Sequence, residues 1–209
     1  MGIPERRARE KLALRRAILD AATHLIVTQG YANLSIRKIA ERIEHAPSTI
    51  YLYFRDKVSI LAAICEEVFG ELTAQLEVIH QTETDALAGL RGGLLCYINF
   101  GLNHPQHYLV VFNTPYPEEL DGSPDHHGPM QAGLRCFDSL CRAVRKGMDA
   151  GKLQSADVNM VSQAVWTAIH GLTSTLIVMG GDCHFPWAPR EDLVQFQVHM
   201  LIRGIAIDC

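Results

Sequence analysis

Three observations predict an all-α protein with a small basic head and a larger acidic helical body. Strand signals are nearly absent: apolar residues recur at i, i+3, i+4 and i+7, the spacing that lines one face of a helix, and not in alternation. Glycine and proline gather near 101–105, 114–129, 147–151 and 180–189, and helical periodicity fills the intervals. The charge is unevenly divided. Residues 1–57 hold eleven Lys/Arg against six Asp/Glu, a balance of +5, whereas residues 58–209 hold eight against seventeen, or −9, within an overall −4. A basic head on an acidic body is the asymmetry expected where only one end meets a polyanion.

Taken in order, residues 11–29 predict an amphipathic helix with Leu12, Ile18, Ala22, Leu25 and Ile26 on one side and Gly30 as its stop. Ser35 is the expected N-cap of a short helix carrying Ile36, Ile39, Ala40 and Ile43. A break at Glu44-His45-Ala46 leads to a second short helix opening with Pro47, a residue suited to the first helical position. Asp56 is the expected N-cap of a long helix with Ile60, Leu61, Ile64, Val68 and Leu72 along one face. Further helices are predicted near 84–103, 105–113, 127–150, 156–180 and 189–207, and the loop Thr114–Pro129 is expected to be exposed and mobile.

Composition excludes several classes. With 48% hydrophobic and 20% charged residues the chain can build a packed core, and wholesale disorder is excluded. The first twenty residues are charged, so no secretory leader is expected. The six cysteines (65, 96, 136, 141, 183 and 209) contain no C-x-x-C pair, and they are expected to be reduced, apolar thiols with no metal among them. Val158–Gly181 carries no Asp, Glu, Lys or Arg and is long enough to span a bilayer. Its Asn159, Ser162, Gln163, Thr167, His170, Thr173, Ser174 and Thr175 are too polar for lipid, and a helix buried in a protein interface fits better. A cytoplasmic protein without membrane contact is expected.

Two short helices joined by a tight turn are the parts of a helix-turn-helix, whose second helix enters the major groove. Here the second is Pro47-Ser48-Thr49-Ile50-Tyr51-Leu52-Tyr53-Phe54. Ile50 and Phe54, four apart, can anchor it while Ser48, Thr49, Tyr51 and Tyr53 face outward. Packing into the core is the alternative role for the tyrosines. Arg37, Lys38, Arg42, Arg55 and Lys57 surround the unit with cations, and Arg6, Arg7, Arg9 and Lys11 form a basic N-terminal arm.

The run Ser35-Ile-Arg-Lys-Ile-Ala-Glu-Arg-Ile-Glu-His-Ala-Pro-Ser-Thr-Ile-Tyr-Leu-Tyr-Phe-Arg-Asp-Lys57, with the preceding Ala21-Ala22, Gly30 and Tyr31, resembles the DNA-binding signature of the tetracycline-repressor (TetR) family. The resemblance implies a DNA-binding domain over residues 1–57 and a ligand-sensing and dimerisation domain over 58–209. It implies that Ser35, Thr49, Tyr53 and Lys57 hold phosphates, that Ser48 and Tyr51 lie close to base edges, and that Arg37 reaches either. Two positions depart from the family pattern: Glu44 stands where a glycine is usual, and Ala46 where a capping Ser or Thr is usual. In the second half, Asn103-His-Pro-Gln-His-Tyr-Leu-Val-Val-Phe112, Gly151-Lys-Leu153 and Trp166-Thr-Ala-Ile-His-Gly171 resemble a TetR subgroup marked by a Trp-x-x-x-His-Gly motif. Trp166 and His170 share a helix face, and Gly171 is expected to allow close approach beside them.

The expected function is a ligand-responsive regulator, released as a repressor from a pseudo-palindromic operator by a small organic effector. The alternative is a metal sensor built on the ten histidines, with His104 and His107 three apart and His126 and His127 adjacent. No G-x-S-x-G or similar element is present, so no enzyme is expected, nor any cofactor or bound metal. Tyr97, Phe100, His104, Phe112, Trp166 and His170 are the candidate effector-binding residues, because they combine aromatic walls with a few polar groups. The family mechanism implies a homodimer paired through helices 156–180 and 189–207, and a charge at a well-buried position such as Ile169 is expected to dissociate or unfold it. The helix from residue 56 would carry the effector's signal to the head.

Overall fold

The computed structural model describes residues 3–115, 127–182 and 184–207. The described residues are all-α: α1 (Ile3–Gln29), a single 3-10 turn, α2 (Ile36–Arg42), α3 (Pro47–Tyr51), α4 (Lys57–Thr82), α5 (Ala86–Asn103), α6 (Pro105–Asn113), α7 (His127–Asp149), α8 (Val158–Met179) and α9 (Arg190–Ile205). Most of the expected Thr114–Pro129 loop lies outside the described residues, as do His126, Cys183 and Cys209, and α7 already begins at His127.

Short polar side chains start the helices. The Ser35 hydroxyl accepts from the Lys38 amide at 3.3 Å. At the head of α4 the Asp56 carboxylate accepts from the Ser59 amide at 2.7 Å, while the Ser59 hydroxyl accepts from the Asp56 amide at 3.2 Å. This reciprocal pair is a capping box, satisfying two of the amides a helix start leaves unpaired. Partial burial works to raise the Asp56 pKa, but these hydrogen bonds and the Arg55 guanidinium outweigh it and hold the carboxyl below its usual range. Asp85 and Asp157 cap α5 and α8 in the same way, each at 2.7 Å.

The described residues divide by packing into two units. One comprises the chain up to Val68 and the stretch from Gln106 to Ala132; the other comprises Phe69–Pro105 and the chain from Gly133 onward. In the first unit α1 packs on α2, and α2 on α3. Its core is Ile18, Ala22, Leu25 and Ile26 of α1 with Ile39, Ala40, Ile50, Phe54 and Ile60. The Arg15 guanidinium lies 5.5 Å over the Phe54 ring and pairs with Glu67. Leu12 departs from expectation: it is exposed, because the buried face of α1 begins only at Ile18, more than one turn further on. The expected basic arm is helical, with Arg6 paired to Glu10 one turn on.

In the second unit α5 packs against α8 and α9, which also meet each other. Leu90, Leu94, Ile98, Val144, Val165, Ile169, Val194 and Val198 are buried there. The Gly151-Lys-Leu153 segment has a packing explanation. Gly151 adopts a φ of 65°, a left-handed turn that glycine takes without strain, and this swings Leu153 back onto α7. A Cβ on Gly147 would stand 2.6 Å from Leu153 Cδ1, so that contact requires a glycine. Leu153 then bridges to Ala206, tying the turn after α7 to the end of α9.

Ile169 is well buried, as expected, and its surroundings favour unfolding over dissociation when it is charged. It is 1% exposed within the single chain, so it belongs to this unit's own core and not to a surface that a second subunit could cover. Gly171 differs from expectation: it is exposed, and a Cβ there would meet nothing within 4 Å, so it does not make room for Trp166 or His170.

Candidate nucleic-acid interface and ligand cluster

The turn between α2 and α3 is tight because Glu44 takes a φ of 56°, the left-handed region that a side-chain-bearing residue enters at a cost of about 1–2 kcal/mol. A glycine is usual at this position for that reason. The turn is closed by the His45 amide donating to Ala40 O at 2.9 Å. Ala46 is the N-cap of α3 and offers no side-chain hydrogen bond, while Pro47 removes one amide that would otherwise need a partner.

The α3 segment presents two opposed faces. Ile50, 0% exposed, and Phe54 point into the core. Ser48, Tyr51 and Leu52 are exposed, with Tyr51 at 57% and Leu52 at 79%. Thr49 and Tyr53 are half-buried along its edges. The tyrosine exposed on this face is therefore not a core residue. Ser35 is half-buried, and since its oxygen accepts the Lys38 amide, its hydroxyl proton remains to be donated. Arg37 is exposed. Lys38 is tied back, its ammonium donating to Gln29 Oε1 at 2.8 Å and Asn33 O at 3.0 Å. The Lys57 ammonium lies 4.6 Å over the Tyr31 ring, a cation–π contact that positions the charge at the start of α4. All seven expected DNA-contacting residues thus lie in the first unit, as polar or cationic groups on or beside α2, α3 and the start of α4. Leu52 was not among them, although its spacing from Ser48 and Tyr51 places it on their face.

In the second unit three of the expected effector residues meet. The Trp166 indole N–H donates to Tyr97 Oη at 3.3 Å, and Tyr97 Oη lies 3.1 Å from His170 Nδ1. The phenol oxygen thus joins the indole and imidazole nitrogens of Trp166 and His170 in one hydrogen-bonded chain. Burial lowers the His170 pKa, favouring the neutral imidazole. The Trp166 and His170 rings lie 5.4 Å apart, and Phe137, which the sequence did not single out, meets Trp166 edge-on at 6.2 Å. Phe100 and His104 pair at 4.9 Å one turn along α5. Phe112 belongs to the first unit, where its ring lies 4.6 Å from Tyr108.

A cleft of about 610 Å³ opens between α5 and α9, lined among others by Asn99, Asn103, Arg190, Glu191 and Gln195. None of the six expected effector residues lines it. Among the described residues no three His, Cys, Asp or Glu side chains converge as a metal site would need. Burial pushes the Cys65 thiol up to about 12 and Cys136 to about 11, values of inert thiols. No helix among the described residues is long and apolar enough to cross a membrane.

The sequence profile of the bacterial regulatory proteins of the tetR family matches residues 18–64, and that of the tetracyclin repressor-like C-terminal domain matches residues 90–201. A relative from Bacillus subtilis, the "Fatty acid metabolism regulator protein", is 32% identical over 164 residues, covering 77% of this chain and 82% of its own length. The "HTH-type transcriptional activator FasR" of Mycolicibacterium smegmatis is 22% identical over 77% of this chain and 73% of its own. Among solved structures, a tetR-family regulatory protein from Rhodococcus RHA1 is similar with a TM-score of 0.74 at 19% identity, covering 93% of this chain and 98% of that one. The regulator FadR of Bacillus subtilis in complex with stearoyl-CoA is similar with a TM-score of 0.73 at 21% identity, covering 91% and 98%. With both halves of the chain matched and a relative of this identity aligned over most of its length, the chain belongs to the tetR family of bacterial regulatory proteins and is a ligand-responsive, DNA-binding transcriptional regulator.

Proposed function

We propose that the protein is a homodimeric repressor that leaves a pseudo-palindromic operator when a small organic effector with an acyl chain binds beside Tyr97, Trp166 and His170. In this reading residues 1–57 hold the operator, Ser48 and Tyr51 face base edges, and Ser35, Arg37, Thr49, Tyr53 and Lys57 secure the backbone. Residues 58–209 sense the effector and pair the subunits. The observation that carries the effector site is the hydrogen-bonded Trp166–Tyr97–His170 triad, with Phe137 against the indole. It supplies apolar walls with one oriented polar group, the usual content of a site for a partly apolar molecule. The fatty-acid role in the name of the 32%-identical relative supports the acyl class. Phe100 and His104, at the end of the helix that carries Tyr97, complete the proposed lining. The Trp-x-x-x-His-Gly motif supports assignment to the corresponding subgroup, because its Trp166 and His170 belong to the triad.

The pairing reading rests on α8 and α9. Ala164, Thr167, Gly171 and Thr175 form an exposed stripe without charge along α8, and Phe196 and Met200 are exposed on α9. A helical glycine that meets nothing within its own chain costs helix stability and gains nothing there, but it lets a second helix approach closely. Paired subunits would set two copies of α3 about 34–36 Å apart, or a multiple, along the duplex.

The test is fluorescence anisotropy on an operator selected by the protein from random duplexes, titrated with stearoyl-CoA, with free CoA as the control. Release by the acyl form alone is expected. Phe100→Ala and His170→Ala should raise the concentration needed while leaving ligand-free DNA binding nearly intact. Release unaltered in both variants would move the effector site elsewhere, and release governed by zinc and a chelator would favour metal sensing. Sedimentation should show a dimer that Phe196→Glu dissociates; a monomeric wild type would remove the pairing and the palindrome together.

A further inference from the structure

The most exposed large apolar side chain among the described residues is Leu52, at 79%. Its place on α3 is distinctive. The helical geometry continues through it, since its backbone is helical and the Phe54 amide donates to Ile50 O at 3.0 Å. At about 100° per residue, Ile50 and Phe54 define the buried direction, and Leu52 falls about 180° from their mean. Ser48, one turn earlier, and the adjacent Tyr51 are exposed with it. A side chain diametrically opposite the core anchor of a recognition helix is the one aimed deepest into whatever the helix enters.

Leucine has no donor or acceptor, so it gains nothing from a phosphate and cannot read a base by hydrogen bonds. Along the major-groove edges of the base pairs the one apolar group is the C5-methyl of thymine. We propose that Leu52 is a specificity-determining residue that packs against a thymine methyl in each half-site and so selects an A·T pair there. Ser48, four residues earlier, offers a hydroxyl to a neighbouring base, and Tyr51 and Tyr53 carry polar tips on either side of Leu52 in the chain. The exposed side chains on and just after α3 therefore divide the readout, with Leu52 supplying shape and apolar contact where Ser48 supplies a hydrogen bond.

The inference rests on α3 being the groove-entering helix, and the experiment separates the two. The full-length protein is first used to select its operator from random duplexes; failure to enrich any sequence would overturn the DNA-binding reading itself, and this inference with it. Each thymine of the selected operator is then replaced singly by deoxyuridine, which lacks only the methyl. The wild type should lose about fourfold in affinity at one symmetry-related thymine per half-site, the effect of one buried methyl-sized group. Leu52→Ala, a change at an exposed position that leaves the core untouched, should bind the thymine operator about as weakly as the wild type binds the deoxyuridine one. It should then show no further loss on deoxyuridine. The inference is overturned if no thymine-to-deoxyuridine change weakens the wild type, if Leu52→Ala suffers the same fourfold loss, or if only Tyr51→Ala abolishes the methyl dependence.

Discussion

In the first unit the candidate DNA-contacting side chains come from one stretch, Ser35 to Lys57, and each is aimed by bonds to near neighbours: a cap three residues away, a left-handed Glu44, and an anchor at Ile50 four residues before Phe54. In the second, Tyr97 meets His170 across 73 positions of sequence and Trp166 across 69. A surface set by local geometry can change its outward residues without losing its shape, because the core anchors lie on the opposite face. A cluster set by packing cannot, because its members hold one another in place. The first arrangement suits a reader of many operators. The second suits a sensor, whose occupancy must alter packing to be felt.

The strongest way to break this comparison is to charge α8. Ile169→Glu buries an unpaired carboxylate in the second unit and should destabilise the protein by about 3–5 kcal/mol, unfolding it and not merely splitting a dimer. Denaturant melts of this variant beside Phe196→Glu separate the two cases; a folded monomer from Ile169→Glu would assign that residue to the interface.

Next in size is Tyr97→Phe, which removes the oxygen shared by the Trp166 and His170 nitrogens and should cost about 1–3 kcal/mol. The pH dependence sharpens this. Burial lowers the folded pKa of His170 below its ordinary 6.5, so the unfolded chain binds more protons, and stability is full above 6.5 and declines as the pH falls below it. His170→Gln should flatten that decline in thermal melts recorded from neutral to mildly acidic pH, and an unchanged slope would deny His170 its part in it.

On the first unit the expected effects are smaller and largely confined to DNA. Lys57→Ala should weaken selected and random duplexes alike and lower the salt slope of binding by about one unit, with little change in stability. An unchanged slope would take Lys57 off the phosphates. The smallest effects concern the turn. Ala46→Ser supplies the missing cap of α3 and should stabilise by about 1 kcal/mol. Glu44→Asn relieves part of the left-handed strain and should add less, since asparagine tolerates that conformation without glycine's larger unfolded-state entropy. Both should raise the melting temperature without shifting the selected operator.

The helix-turn-helix, the caps at Ser35 and Asp56 and the start of α6 at Pro105 were legible from residue order alone, because each depends on interactions within a turn or two of the chain. Leu52 was legible in principle, since a wheel drawn on Ile50 and Phe54 points to it, but an apolar residue beside two tyrosines reads more readily as core. Leu12 and Ile169 show the converse limit. Both sit on apolar helical stripes, and periodicity says that a face is covered without saying by what. Only tertiary packing decided that Leu12 lies beyond the core's reach, that α8 turns Ile169 toward its own unit and Gly171 away from it, and that Phe137 joins the Trp166 and His170 face. The physical reason is range. Capping, turn strain and helix period act over a few residues, which the sequence displays directly. Burial is a property of what arrives from 70 positions away, and only the folded chain determines it.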